Sequence, residues 1–311
     1  MTRENIGSAC LDLTYNKGND SCADEAELDE ILQIVQTSEE REYSRIIAEK
    51  RSVTMLYHLS VQRQNIVAGL EIGKDQDVLE IGSECGAITG KLAQMAGSVT
   101  CAEVSEKKSR INAWRNRDCG HVEIRVGKFE DLHADLDRQY DVITMIGALE
   151  NLNACLNGKL SAERLLRMAL RHLKPQGEIV IAADNKYGLK YWAGCRDERS
   201  GEFFGGLKAY ADEAEEQSHT LNSLKNLLDR TGLAEQRYFY PYPDYRYTRC
   251  LYSDDYLPGK GELTANMNNF GTERMFLFNE TQVYDNLISD GMFPLFSNSY
   301  LVVCRGKESQ E

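Results

Sequence analysis

The sequence predicts an α/β fold with a doubly wound, parallel sheet. From Asp77 onwards, short apolar runs rich in β-branched residues alternate with stretches of helical periodicity, which is the pattern of successive βα units. A glycine-containing turn follows the first of these strands, at the position where open α/β sheets bind nucleotides. We therefore expect a catalytic domain whose ligand site lies at the carboxyl ends of the strands.

The elements before the sheet are predicted to be helical. Residues 1–23 are polar and turn-rich, whereas apolar residues then recur at helical spacing, which predicts an amphipathic helix over 24–36. Helical character continues through two further segments, at 38–50 and 52–68.

Seven strands follow from the alternating pattern, and the helices between them have recognisable ends. Lys174-Pro175 is expected to end one helix, because the residue before a proline disfavours helical backbone, and Ser218 is expected to cap another. The predicted strands are 77–81, 98–103, 121–126, 140–146, 177–183, 233–241 and 298–304, and the predicted helices between them include 86–96, 105–117 and 160–173.

The predicted domain organisation has three parts. Residues 1–76 form an N-terminal cap and helical layer, residues 77–304 form the catalytic domain, and residues 305–311 are a tail. The catalytic domain carries two insertions, at 184–217 and 242–292, which are longer than ordinary connections. Such segments usually build a binding surface, so we expect them to select the substrate.

Composition excludes several classes of function. The formal net charge of −13 would repel a nucleic-acid backbone. The nine cysteines form no CxxC pair or zinc-type cluster, so no metal site is expected. The N-terminus has no signal-peptide pattern, and no apolar run reaches the roughly 18 residues of a membrane span, so the sequence predicts a cytoplasmic protein.

The segment 78–89 carries the main chemical signal. Gly82 and Gly86 lie in the turn between an apolar strand and a helix, where glycine lets the backbone approach a ligand. The alternative is a tight βα turn with no ligand. Glu103, at the end of the next strand, can accept hydrogen bonds from both hydroxyls of a ribose. Because Glu80 and Glu84 would repel a pyrophosphate, S-adenosylmethionine (AdoMet) is favoured over a dinucleotide.

These residues resemble a known enzyme superfamily. The string Glu80-x-Gly82-x-x-x-Gly86, together with Glu103, is similar to motif I and the following acidic residue of class I AdoMet-dependent methyltransferases. The resemblance extends over nearly the whole chain to a bacterial branch often encoded with, or fused to, glycosyltransferases. The stretches that carry it are 57–66, 146–150, 188–194 and 252–258.

The resemblance implies a seven-stranded Rossmann-like sheet and a set of cofactor contacts. It implies that Gly82 and Gly86 approach the methionine and ribose groups and that Glu103 holds the ribose hydroxyls. The other cofactor-binding residues that it implies are Tyr57, Glu80, Ser83, Glu84, Lys128, Phe129 and Gly147, with Phe129 as a wall for the adenine and Gly147 beside the methyl-transfer channel.

The sequence departs from the family pattern at three positions. Glu84 replaces the middle glycine of the usual motif, Arg199 stands where the branch has a histidine, and Thr248 stands where it has a proline. Arginine stays protonated and cannot act as an ordinary base. Two alternatives to methyl transfer therefore stay open, namely other AdoMet chemistry, such as aminocarboxypropyl transfer or cyclisation, and a catalytically silent subunit that binds a partner.

The candidate catalytic bases are His58, Glu150 and Asp244. The expected acceptor is a small molecule or a saccharide or natural-product intermediate, methylated on oxygen or nitrogen, and a homodimer is possible. The aromatic and cationic residues of the insertions are either its binding residues or the rim of a packed subdomain. The candidates are Tyr187, Lys190, Tyr191, Arg196, Tyr242 and Tyr245.

Overall fold

The structure is a computed structural model that describes residues 2–18, 25–157, 161–197, 200–208, 218–266 and 273–306. Its strands form one mixed sheet of ten strands in the order β1-β2-β5-β4-β3-β6-β7-β10-β8-β9. The strands are β1 (Arg3–Ile6), β2 (Ala9–Asp12), β3 (Asp77–Ile81), β4 (Ser98–Glu103), β5 (Val122–Val126), β6 (Tyr140–Ile146), β7 (Leu173–Asp184), β8 (Leu233–Tyr242), β9 (Cys250–Ser253) and β10 (Ser299–Gly306).

Helices lie before the sheet and between its strands. They are α1 (Glu25–Thr37), α2 (Glu40–Lys50), α3 (Val53–Leu59), α4 (Thr89–Met95), α5 (Glu106–Arg115), α6 (Phe129–Leu132), α7 (Leu152–Cys155), α8 (Ala162–Leu170), α9 (Leu189–Trp192), α10 (Leu221–Arg230), α11 (Glu280–Ser289) and α12 (Phe293–Phe296). Short 3₁₀ helices include Val61–Ile66, Ala148–Glu150 and Tyr245–Tyr247. No helix in the described part of the chain is both long enough and apolar enough to cross a membrane.

The α/β doubly wound prediction is confirmed, and all seven predicted strands are present as β3 to β8 and β10. The run from β2 through β5, β4, β3 and β6 to β7 is parallel. The predicted count of seven strands is not exact, because three further strands extend the edges of the sheet, and β10 pairs antiparallel with both β7 and β8.

The three strands that the sequence pattern missed are β1, β2 and β9. β1 and β2 form an antiparallel hairpin, and β2 adds in parallel to the edge of β5. The side chains of β1 are mostly exposed, so this strand has a polar sequence, whereas Ala9 and Leu11 on β2 are fully buried. Two alternating apolar residues are too short a signal to predict a strand. The described residues before the first helix therefore add a hairpin to the edge of the sheet.

Three element boundaries differ from the predictions. The helix expected over 160–173 is α8, which ends at Leu170, and β7 already begins at Leu173, so that Pro175 lies in a strand. The helix expected over 52–68 is interrupted at Ser60, whose hydroxyl accepts a hydrogen bond from the Gln62 N–H (3.3 Å). The N-cap expected at Ser218 is Thr220, because its Oγ1 accepts from the Ser223 N–H (3.1 Å).

Each face of the sheet carries its own apolar core. Leu79 and Ile81 of β3 pack into one core and Val78 into the other, which is the alternation expected for a strand buried on both sides. A third cluster joins α1, α2 and α3 to Ile111 of α5. The N-terminal helices thus pack on a helix of the sheet layer and bring residues 57–63 towards the carboxyl ends of the strands.

Candidate functional site

A cavity of about 900 Å³ opens at the carboxyl ends of β3, β4 and β6. In the sheet, β4 lies on one side of β3 and β6 lies on the other, so the strand order reverses at β3. Open α/β proteins bind ligands at such a switch point. Ionisable side chains of both signs line the cavity. They are Glu84, Glu103, Glu150, Lys108, Lys128 and Arg246.

Glu103 closes β4 and lies in the wall of this cavity with 5% of its surface exposed. Its Oε2 accepts a hydrogen bond from the Glu84 N–H (2.8 Å), and its Oε1 accepts from the Ser105 N–H (3.0 Å). Burial raises the pKa of Glu103, although Lys108 and these N–H groups oppose the shift. Two backbone donors fix the carboxylate, and each oxygen keeps a lone pair for a ligand hydroxyl.

The two glycines of the turn after β3 have different roles. Gly82 (φ 80°) lines the cavity, and a Cβ built on it would meet only the Ala148 side chain, at 3.7 Å. Gly86 (φ 72°) does not line the cavity, and its Cβ would lie 2.3 Å from Oδ1 of Asn112. Gly82 therefore leaves room for a ligand, whereas Gly86 leaves room for α5.

Glu80 and Ser83 lie behind the turn and do not line the cavity. Glu80 is buried and accepts a hydrogen bond from the Thr89 hydroxyl (2.6 Å), which in turn accepts from Nδ2 of Asn112 (3.0 Å). Burial raises the pKa of Glu80 to about 7. Glu80 is therefore placed to support the turn and not to contact a ligand in the cavity.

Glu84 takes up the left-handed backbone conformation (φ 47°) that glycine usually provides, and its side chain points into the cavity. Its carboxylate lies 3.7 Å from Nζ of Lys108 and 3.9 Å from Nη2 of Arg63. Although burial opposes ionisation, these cations and neighbouring His58 hold the pKa of Glu84 at about 2. The side chain therefore places a permanent negative charge at this end of the cavity.

Tyr57 lines the same end of the cavity, whereas His58 does not line it. The guanidinium of Arg63 stacks on the Tyr57 ring, 4.2 Å from its centroid, and its Nη2 donates to the Tyr57 hydroxyl (3.2 Å). Burial lowers the pKa of His58 to about 4, so its imidazole is neutral near pH 7. Without access to the cavity, His58 is not placed to act as a base on a ligand there.

Two of the residues expected near the adenine and the methyl-transfer channel line the cavity, and one does not. Lys128 and Gly147 line it, and Lys128 Nζ also donates to the Leu156 carbonyl (2.9 Å). Phe129, expected as a wall for the adenine, is 1% exposed and packs in the core beside the rings of His133 and His172. The residue after Lys128 points inward because it begins α6.

Glu150 lies where the cavity meets a network of buried charges. Its Oε2 accepts from the Tyr245 hydroxyl (2.9 Å) and from Nη2 of Arg246 (3.1 Å), and its Oε1 accepts from the Asp184 N–H. Burial and the neighbouring Asp184 carboxylate raise the pKa of Glu150. Among the three predicted bases, only Glu150 lines the cavity.

Asp244 and Lys190 belong to the interior of this network. Asp244 is fully buried, and its Oδ2 accepts from Nζ of Lys190 (3.0 Å) and from Nη1 of Arg246 (3.1 Å). Lys190 also binds Asp184 (2.9 Å) and is 1% exposed. Asp244 is thus not placed to act as a base on a ligand, and Lys190 is not placed to touch a substrate.

A second cavity of about 190 Å³ lies on the other side of Glu150 and Arg246, which line both spaces. Tyr191 lines this second cavity, and Tyr245 lines the first. The other predicted substrate residues lie elsewhere. Tyr242 is in the core, with its hydroxyl bonded to Asn266 (3.0 Å); Arg196 pairs with Glu273 at the surface; and Tyr187 is 43% exposed.

The three departures from the family pattern have different outcomes. Glu84 fits the turn in the left-handed conformation described above. Thr248 stabilises its own loop, because its hydroxyl donates to the Asp244 carbonyl (3.1 Å). Arg199 lies outside the described residues.

Sequence reasoning missed Lys108, Arg246 and Asp184, and gave no role to Arg63. A signal existed for Lys108, since Ser105 caps α5 directly after Glu103 and the first turn of α5 must face the strand ends. Arg246 gave no such signal, because its partners Asp184 and Glu150 are distant in sequence and meet only in the fold.

Comparison with known families agrees with this geometry. Residues 79–179 match the model of a family described as "Methyltransferase domain", and this range begins within β3, ends within β7 and includes most of the residues that line the cavity. The match supports the class I methyltransferase fold and AdoMet as the cofactor of this class of domain. No curated protein sequence is significantly similar to the chain.

The solved structures that the chain is similar to are distant from it in sequence. The protein solved in complex with the Trm112 methyltransferase activator of Haloferax volcanii is 16% identical, with 85% of this chain and 97% of that chain covered and a TM-score of 0.49. An AdoMet-dependent methyltransferase of Thermotoga maritima is 13% identical (86% and 99% covered, TM-score 0.46), and the N-methyltransferase NodS of Bradyrhizobium japonicum is 12% identical (79% and 92% covered, TM-score 0.43). These values assign no activity.

Proposed function

We propose that this protein is an AdoMet-dependent methyltransferase that methylates an oxygen or nitrogen of a small molecule or of a saccharide or natural-product intermediate. The bound cofactor would supply a methyl group already activated by a sulfonium. The protein then has to bind the acceptor, align it with the methyl group and exclude water. Proximity and orientation can lower the barrier of such a reaction by about 7–11 kcal/mol.

The observation that carries the proposal is the position of Glu103. Its buried carboxylate is fixed by two backbone N–H groups in the wall of a large cavity, directly beside Gly82. A ribose offers two adjacent hydroxyls to such an acceptor. With three acidic and three basic side chains around the cavity, the site suits a ligand that carries both charges, as AdoMet does, better than a pyrophosphate.

Glu150 is the base that this geometry favours. It lines both cavities, and its raised pKa places it closer to neutral pH than an ordinary carboxylate. We place the acceptor beside Glu150 and Arg246, where Tyr245 and Tyr191 face the two cavities. In this arrangement Glu150 would take the proton of an acceptor hydroxyl, or of an ammonium before it reacts, so that the oxygen or the neutral amine nitrogen has a lone pair for the methyl group, and S-adenosylhomocysteine would be the leaving group.

Calorimetric titration with AdoMet and S-adenosylhomocysteine tests the cofactor site. Glu103→Ala should weaken binding by more than tenfold, which is about 1.4 kcal/mol, because the ribose hydroxyls lose their acceptor. Glu123→Ala, which removes an acid at the other end of the parallel strands, is the matched control and should bind as the wild type does. Equal affinity of Glu103→Ala and wild type would contradict the assigned role.

The reaction is tested by product analysis with a panel of hydroxyl- and amine-bearing metabolites. S-adenosylhomocysteine as product reports methyl transfer, whereas methylthioadenosine reports transfer of the aminocarboxypropyl arm or cyclisation. Because the base must be ionised, the rate should rise with pH through the raised pKa of Glu150. Glu150→Gln should lower the rate by about 10²-fold or more and remove this rise. A rate and pH profile unchanged in Glu150→Gln would exclude it as the base.

A further inference from the structure

Glu84 differs from an ordinary residue of a βα turn in three features. It is a non-glycine residue in the left-handed region, its carboxylate faces the cavity, and its backbone N–H is already used to hold Glu103. A glycine would make the same backbone contact without strain. The side chain is therefore the part of Glu84 that needs an explanation.

The charges around Glu84 are arranged on two sides. Nζ of Lys108 lies 3.7 Å from Oε1 of Glu84, and Nη2 of Arg63 lies 3.9 Å from Oε2, so both cations are near but beyond direct hydrogen-bond distance. Lys108 itself lines the cavity, whereas Arg63 is 3% exposed and lies behind Tyr57. Glu84 and Lys108 thus present a negative and a positive group side by side to the same space.

We propose that Glu84 and Lys108 together recognise the free α-amino-acid group of the cofactor, with Glu84 binding the α-ammonium and Lys108 binding the α-carboxylate. This inference rests on the proposed function and adds to it the two side chains that select the methionine end of the cofactor. Arg63 is a positioning residue, because its guanidinium holds the Tyr57 ring and hydroxyl against Glu84.

The pairing also accounts for the substitution at the middle glycine position. A glutamate there would repel an α-carboxylate if it stood alone, but Lys108 offers that carboxylate a partner of opposite charge within the same cavity. Glu103 is joined to Glu84 through the Glu84 N–H, so the acid expected at the ribose and the acid expected at the ammonium are held in fixed relation.

Ligand analogues test each half of the pair. Titrations would use S-adenosylhomocysteine, the same compound without its α-amino group, the same compound without its α-carboxylate, and methylthioadenosine, which lacks the amino-acid arm. On the wild type, loss of either charged group should weaken binding at least tenfold, equivalent to about 1.4 kcal/mol.

The variants Glu84→Gln and Lys108→Gln form a matched pair, since each removes one charge at similar size. Glu84→Gln should weaken S-adenosylhomocysteine at least tenfold and leave the deaminated analogue unchanged. Lys108→Gln should also weaken S-adenosylhomocysteine at least tenfold, but it should leave the affinity for the decarboxylated analogue unchanged. Both should bind methylthioadenosine as the wild type does, which also shows that they are folded.

Two results would overturn the inference. In the first, the wild type binds the deaminated and decarboxylated analogues as tightly as S-adenosylhomocysteine. This measurement uses only the wild type, so it does not depend on whether a variant folds. The other is an equal or higher affinity of Glu84→Gln for S-adenosylhomocysteine, which would mean that the carboxylate repels the ligand. A wild type that binds none of the adenosyl compounds, methylthioadenosine included, would instead refute the proposed function.

Discussion

At the scale of single residues, the turn after β3 shows that similar glycines can serve different purposes. Both Gly82 and Gly86 have positive φ, so an alanine at either position is strained. Only Gly86 faces another part of the protein at a distance that excludes a Cβ, because Asn112 lies against it. Asn112 in turn holds Thr89, which binds the buried Glu80.

Replacement of the two glycines should therefore have unequal effects on stability. Gly86→Ala should lower the free energy of unfolding by about 2–4 kcal/mol, since backbone strain and overpacking against Asn112 add. Gly82→Ala, the matched control, should cost about 1 kcal/mol from strain alone, because its Cβ would meet only Ala148 at an ordinary distance. Urea unfolding measures both. A similar loss in the two variants would show that the contact with Asn112 relaxes without cost.

At the scale of elements, buried charges join segments that are far apart in the chain. Lys190 on α9 bridges Asp184 at the end of β7 and Asp244 in the loop after β8. Arg246 connects the same two acids to Glu150, which follows β6. The network fixes the wall between the two cavities, so the position of the proposed base also depends on Lys190 and Asp244, which line neither cavity.

Removal of the central cation should be costly for this reason. Lys190→Met should destabilise the protein by about 3–5 kcal/mol, because it leaves Asp184 and Asp244 with less compensation in the interior. Lys174→Met is the control, since Lys174 pairs with Asp141 (2.7 Å) but is 39% exposed, and it should cost less than about 1 kcal/mol. Thermal and urea unfolding give both values. Equal decreases in the free energy of unfolding would mean that the buried ion pairs of Lys190 contribute no more to stability than the exposed pair of Lys174.

At the scale of the whole molecule, the cavity is closed by segments from both ends of the sequence. The helical layer before the sheet supplies Tyr57, and the loop after β8 supplies Tyr245 and Arg246. The two segments are tied together by the Asn65 side chain, whose Nδ2 donates to the Thr248 carbonyl (2.7 Å). The site is therefore a product of the complete fold and not of the matched methyltransferase segment alone.

Much of the fold could be predicted because β3 to β8 and β10 are apolar runs with clear turns between them. The hairpin of β1 and β2 could not be predicted, since β1 is exposed and polar and is a strand only because β2 pairs with β5. The early start of β7 had the same cause: pairing of Leu173 with Tyr140 outweighs the local signal of Pro175.

The sequence by itself determined the order of strands and turns and the positions of Gly82, Glu84 and Glu103, because a motif on one strand and the acid closing the next are local in the chain. Only the tertiary structure decided that Lys108 stands beside Glu84, that Glu150 lines the cavity while His58 and Asp244 do not, and that Phe129 belongs to the core. The physical reason is that burial and charge pairing depend on which side chains meet across elements, and a periodic pattern along one chain carries no record of those distances.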